Sequence, residues 1–153
     1  MTTVVRYLLA PRERQVIEGL AEGDTVAAVA RSLGLAESTA AGYLKLAKKK
    51  LRGTRDISAA VAVGYALRAI GQPVPLDPGA VCLLPEEREL VPLIARGLGP
   101  AEMASEVRRP LNIVRRDGRR LLVGLGAKNR PHVVKRAWQV GILTEEQVTA
   151  WLR

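Results

Sequence analysis

"LAPRERQVIEGLAEG", residues 9–23, decides how this chain is read, because it returns as "LLPEERELVPLIARG" at 83–97, a shift of 74 positions. In the first stretch Pro11 suits the opening position of a helix, where its missing N–H costs nothing. Val16, Ile17, Leu20 and Ala21 then mark one face at helical spacing, and Gly23 ends the element. Carried without gaps from 9–51 onto 83–125, the shift pairs nine identical residues in 43: Leu9/Leu83, Pro11/Pro85, Glu13/Glu87, Arg14/Arg88, Ala21/Ala95, Gly23/Gly97, Ala27/Ala101, Ala30/Ala104 and Leu51/Leu125. The identities are few. The shared order of proline starts, glycine stops and apolar positions is what argues for a repeated unit.

Outward from the first stretch, Asp24 or Thr25 caps a short helix "VAAVARSL" that Gly34 stops. A third helix starts near Glu37–Ser38 and runs to about Leu51, and a fourth, "SAAVAVGYALRAI", runs from Ser58 toward Ile70. The second unit repeats this with helices near 85–96, 100–107, 111–125 and 131–140, and a tail helix follows in which "TEEQ" (144–147) reads as a capping box. Between the units the stretch "GQPVPLDPGAV" (71–81), with three prolines and two glycines, reads as an extended, semi-rigid connection. The expected architecture is all-α: two tandem four-helix units over 1–71 and 83–153, a Pro/Gly linker over 72–82, and a short C-terminal helix.

Composition narrows the partners. The net charge is +9 over 153 residues, with 11 basic against 6 acidic side chains in 1–72 and 12 against 6 in 82–143. Basic charge of this size favours a polyanion, nucleic acid before an anionic membrane surface. Aromatics are 3% with no Phe, so the core must be built from Ala, Val, Leu and Ile. One cysteine (Cys82) and one histidine (His132) allow neither a disulfide framework nor a Cys/His zinc site within the chain. The uncharged run "ISAAVAVGYAL" is too short to span a bilayer, and "MTTVVRYLLA" lacks the pattern of a signal peptide. A reducing cytoplasm is the expected location.

A helix, a four-residue turn and a long basic helix make the helix-turn-helix arrangement, with Gly34 in "SLGLAEST" where the turn needs a left-handed residue. Over "LAPRERQVIEGLAEG", "AVARSLGLAESTAAGYL" and "KKKL", and again over "LLPEERELVPLIARGLGPAEMASEV" and "VGLGAKNRPHVVKRAWQVGIL", the chain resembles the LuxR/GerE-type helix-turn-helix domain of bacterial transcription regulators. Leu125, Gly126, Asn129 and Arg130 sit at positions matching that family's junction into its fourth helix. The resemblance implies sequence-specific binding of double-stranded DNA through the third helix. It also implies dimerisation largely through the fourth, where Val61, Tyr65, Val134 and Trp138 are the candidate dimer or interdomain contacts.

The departures from the family differ between the copies. Ala10 and Leu84 replace the usual Thr or Ser before the first proline, removing an N-cap worth about 1 kcal/mol. The first copy keeps Thr39 of the family's Thr-Val-Lys-x-His but has Ala41 for the lysine; the second has Ile113, then Arg115 in the lysine position. Arg108 aligns with the turn glycine, at a cost of roughly 1 kcal/mol if the backbone stays left-handed.

In "VRRDGRR" (114–120) four arginines fall on one helix. At 100° per residue, Val114, Gly118, Leu121, Leu122 and Leu125 share an arc of about 100°, and Arg115, Arg116, Arg119 and Arg120 lie opposite. Gly118 thus belongs to the buried face, where Leu44 stands in the first copy, and would permit close approach of another helix. Arginine pairs two donors with guanine O6 and N7, or grips phosphate with its fork. The DNA-binding candidates are these four arginines, with Arg109 and Lys128 in the second copy and Thr39, Ala41, Lys45, Lys48, Lys49, Arg52 and the cap Thr25 in the first. Lys50 and Arg55 add phosphate-gripping charge. The bland alternatives are a solvated arginine face and, for Thr25, a plain helix cap.

Other features carry less. "GLGAK" (124–128) follows a helix and fits neither nucleotide-loop spacing. His132 reads as an ordinary surface histidine, Cys82 as a small apolar residue, and Trp138 and Trp151 as packing anchors. No acidic, Ser/His or Cys/His cluster suggests catalysis, and no cofactor or metal is expected. Single-strand or RNA binding lacks aromatic platforms, and membrane association lacks a basic helix with bulky aromatic insertion. The leading expectation is a non-enzymatic DNA-binding transcription regulator whose fused copies mimic a dimer, with a homodimer through helix 4 also possible. The alternative is a degenerate module binding RNA polymerase, a sigma factor or another regulator.

Overall fold

The computed structural model describes residues 8–152; the first seven positions of the unit expected over 1–71, and Arg153, lie outside the described residues. Those described are helical and hold no strand. In the first half α1 spans Pro11–Ala21, α2 Val26–Leu33, α3 Glu37–Lys50 and α4 Ile57–Ala66. Pro11 opens α1 without a hydroxyl cap; instead the N–H of Ala10 donates to the Glu13 carboxylate at 2.9 Å. That carboxylate is buried and also accepts from Lys50 Nζ at 2.8 Å, which ties the start of α1 to the end of α3. Glu87 accepts from the N–H of Leu84 (3.1 Å) in the same way.

Two elements differ from expectation. The fourth helix stops at Ala66 rather than near Ile70, because Arg68 turns left-handed (φ 57°) and the N–H of Ala69 folds back onto the Gly64 carbonyl at 2.8 Å. Ile70 is thereby fully buried against Gly64. The helix expected over 85–96 is interrupted, with α5 over Pro85–Arg88 and α6 over Leu90–Ala95. Pro92 lacks the N–H that would close the turn on Arg88, and its ring crowds that carbonyl. Beyond it lie α7 (Pro100–Val107), α8 (Leu111–Leu125), α9 (Arg130–Gln139) and α10 (Glu145–Trp151), the last capped reciprocally by Thr144 and Gln147.

Burial repeats with the 74-residue shift. Val16, Ile17, Leu20, Ala21, Val29, Ala40, Ala47 and Leu51 are buried, and so are Leu90, Val91, Ile94, Ala95, Met103, Val114, Leu121 and Leu125. Left-handed residues repeat too. Gly34 (φ 69°) corresponds to Arg108 (φ 54°), Arg52 (φ 67°) to Gly126 (φ 62°), and, one residue offset, Arg68 (φ 57°) to Gly141 (φ 78°). In each pair one half carries glycine, which meets no Cβ clash there, and the other carries arginine, which does.

The halves are not held apart. α4 packs on α9, α1 on α9, α6 on α4, and α10 also on α4, so that one hydrophobic cluster runs through both. Every residue of α4 from Ser58 to Ala66 is buried; its Ala, Val and Gly content lets several helices approach it. The connecting stretch is a strap lying on the end of α9 rather than a free spacer. Leu76 N–H donates to the Gln139 carbonyl (2.9 Å), Gln139 Nε2 to the Val74 carbonyl (2.8 Å), and Trp138 Nε1 to Gln72 Oε1 (3.2 Å).

Candidate nucleic-acid interface

The arginine helix α8 forms with Val114, Leu121 and Leu125 inward and Arg115, Arg116, Arg119 and Arg120 exposed. Among the described residues no carboxylate lies within 4.0 Å of Arg115, Arg119 or Arg120. Arg116 is different: its Nη2 meets Asp117 Oδ1 at 3.3 Å. Asp117 is buried, with a side chain only 3% exposed, and sequence reasoning missed it. The signal was present, since Asp117 sits three residues after Val114 and four before Leu121, at the edge of the inward face.

Asp117 also removes Arg109 from the candidates. Arg109 Nη1 donates to Asp117 Oδ2 at 2.7 Å, and its Nη2 donates to Glu89 Oε2 (2.9 Å) and to the Glu86 carbonyl (3.3 Å). With its side chain 18% exposed and its fork filled, Arg109 clamps the turn before α8 to the segment joining α5 and α6. Gly118 admits no neighbouring helix, in contrast to the close approach expected: a Cβ placed there meets nothing within 4 Å.

In the first half, Thr39, Ala41, Lys45 and Lys49 line the exposed side of α3, with Lys48 half-buried and Arg52 exposed just beyond. Lys50 and Arg55 are not free. Lys50 holds Glu13, and Arg55 forms a two-bond pair with Glu102 (3.0 and 2.8 Å) that joins the halves. Arg55, together with the N–H of Gly99, holds the Glu102 carboxyl at about 2. Between the lysines, Leu46 is 48% exposed, an apolar side chain at the position that Arg120 holds in α8. Thr25 caps α2, its Oγ1 accepting from the N–H of Ala28 at 3.1 Å. Lys128 is exposed and runs alongside Gly23, at the start of α9.

Val61 and Val134 are fully buried, and the Tyr65 ring packs on that of Trp138. These four candidate dimer or interdomain contacts are therefore engaged within the chain. Burial pushes the Tyr65 hydroxyl well above its usual range. His132 is buried rather than at the surface: Nδ1 accepts from the N–H of Lys128 (3.1 Å), and burial, with Arg136 nearby, lowers its pKa. Cys82 is exposed. Trp151 packs against the core and lies 6.0 Å from the Arg96 guanidinium. The described residues hold no three-residue His/Cys/Asp/Glu group able to bind a metal, and no described helix is long and apolar enough to cross a membrane.

Residues 7–63 match the family described as bacterial regulatory proteins, luxR family. The match covers α1 to most of α4 and stops before the strap. No curated protein and no solved structure matches the chain.

Proposed function

We propose that this chain is a bacterial DNA-binding transcription regulator, built from two divergent luxR-type units whose α3 and α8 face the major groove. One observation carries the reading: α8 exposes Arg115, Arg119 and Arg120 without carboxylate partners among the described residues, at positions corresponding to the exposed side of α3 in the half that matches the family. Unpaired like charges on adjacent helical turns repel each other, and phosphate relieves that repulsion. The repeated burial pattern and the repeated left-handed positions support a second unit over 83–153. The α4–α9 contact, centred on Tyr65 and Trp138, supports a fused pair that does the work of a dimer in one chain. A regulator of this kind acts in the cytoplasm, at the nucleoid.

The test is a salt series of binding to duplex DNA. The logarithm of the association constant is expected to fall steeply with the logarithm of salt concentration, and each arginine neutralising a phosphate contributes about 0.9 to the slope. Replacing Arg115 and Arg119 together by Ala flattens the slope by nearly twice that amount. An unchanged slope and affinity in the double variant would overturn the reading.

A second reading concerns the first half alone. Exposed Leu46, with half-buried Tyr43 and Gly42 beside it, favours a protein partner on α3 such as RNA polymerase, a sigma factor or another regulator. In that case Leu46→Glu leaves DNA affinity unchanged and abolishes capture of the partner.

A further inference from the structure

An apolar pocket opens in the second half, beneath α8. Where α3 buries Leu44, α8 has Gly118, and a Cβ built on that glycine meets nothing within 4 Å. The result is a half-open pocket of about 240 Å³ beneath α8, walled by Ile94, Met103, Val114, Leu122 and Val133. Its wall also includes Arg115 and Arg119, both exposed and without carboxylate partners among the described residues. Arg130 lies on the same wall, but its Nη2 is engaged by the Leu98 carbonyl and faces Asp56 at 3.8 Å.

We propose that this pocket is a binding site for a small apolar carboxylate: a ring or branched chain beneath α8, with its carboxylate between Arg115 and Arg119. An engineered apolar cavity of about 150 Å³ takes up benzene, so the space here accommodates a ring with a short chain. Two exposed guanidinium groups at the mouth favour an anionic ligand over a neutral one. A carboxylate pairs with either fork through two parallel hydrogen bonds. The same two arginines serve the proposed DNA contact, so the ligand would be a soluble input to a chain whose α8 also meets DNA.

The experiment uses the full chain without nucleic acid, so its outcome is independent of the DNA reading. Phenylpropionate is titrated while the methyl signals of Ile94, Met103 and Val133 are followed by NMR, with the neutral isostere phenylpropanol as control. Saturable shifts at these methyls are expected, with phenylpropanol and the Arg119→Gln variant each weaker by about tenfold. Gly118→Leu, which restores the residue type of the first half, is expected to abolish binding while melting no lower than the parent chain. Absence of saturable shifts, or equal affinity for phenylpropanol, would overturn the proposal. So would undiminished binding by a folded Gly118→Leu chain. If Gly118→Leu fails to fold, the phenylpropanol and Arg119→Gln comparisons still decide the question.

Discussion

The rings of Tyr65 and Trp138 lie 5.3 Å apart at an interplanar angle of 38°, and the two residues hold the same place in their respective helices. Tyr65 is the ninth residue of α4 and Trp138 the ninth of α9. Each half thus supplies one aromatic to a shared contact, in a chain with few aromatics to spend. Trp138→Ala is expected to destabilise the whole molecule by about 3 kcal/mol, through lost burial and an unfilled space. Urea denaturation followed by circular dichroism checks it. A single transition is expected, since the core is continuous; two separated transitions would contradict coupling of the halves.

Arg108 sits in a left-handed conformation where Gly34 stands in the other half. Arg108→Gly is expected to raise stability by about 1 kcal/mol, less any gain in unfolded-state entropy. Gly34→Ala is expected to lower it by a similar amount. Paired thermal melts of the two variants read the opposite signs.

Asp117 is the buried partner of Arg109 and Arg116. Asp117→Asn leaves the Arg109 fork without its charged acceptor and is expected to cost about 3 kcal/mol. Asp117→Asn combined with Arg109→Met is expected to recover part of this, because no unpaired buried charge remains. A double-mutant cycle by denaturation measures the recovery.

Lys48 and Lys49 follow the exposed middle of α3, where phosphate contact is expected rather than base reading. Replacing both by Ala should weaken binding to all duplexes alike and reduce the salt slope by about 2. Arg115→Ala should instead narrow the gap between preferred and random sequences, by about 1–3 kcal/mol if it reads a base. Competition titrations against both DNA types distinguish the two behaviours.

His132 has a pKa lowered by burial, with Arg136 adding repulsion. In the unfolded chain it titrates near 6.5, so the unfolded state binds its proton first as pH falls. Stability is therefore unaffected by this group above about pH 7 and declines as pH drops from the unfolded toward the lower folded value. His132→Asn, which keeps an acceptor for the Lys128 N–H, should flatten that decline. Denaturation midpoints at about pH 8 and about pH 5 provide the comparison.

Much of the fold was legible in the sequence because its signals are local. Pro11, Gly23, Gly34 and the apolar spacing of α1 to α3 act within a turn or two of the residues they control, and α8 could be drawn on a wheel with its arginines outward. The early stop of α4 was less legible, since it depends on Ile70 finding room beside Gly64. For the candidate interface, a wheel shows direction but not partners. It placed Arg116, Lys50 and Arg55 outside without revealing that Asp117, Glu13 and Glu102 would hold them.

The sequence by itself determined most of the helices and the clustering of positive charge, because hydrogen bonding and apolar periodicity operate over a few residues. The tertiary structure alone decided which charges remain free. It also decided that α4 meets α9 inside one chain and that Gly118 opens a pocket instead of admitting a helix. Those outcomes depend on distances between residues far apart in the chain, such as Arg55 and Glu102 or Tyr65 and Trp138, and neither helical spacing nor composition encodes such distances.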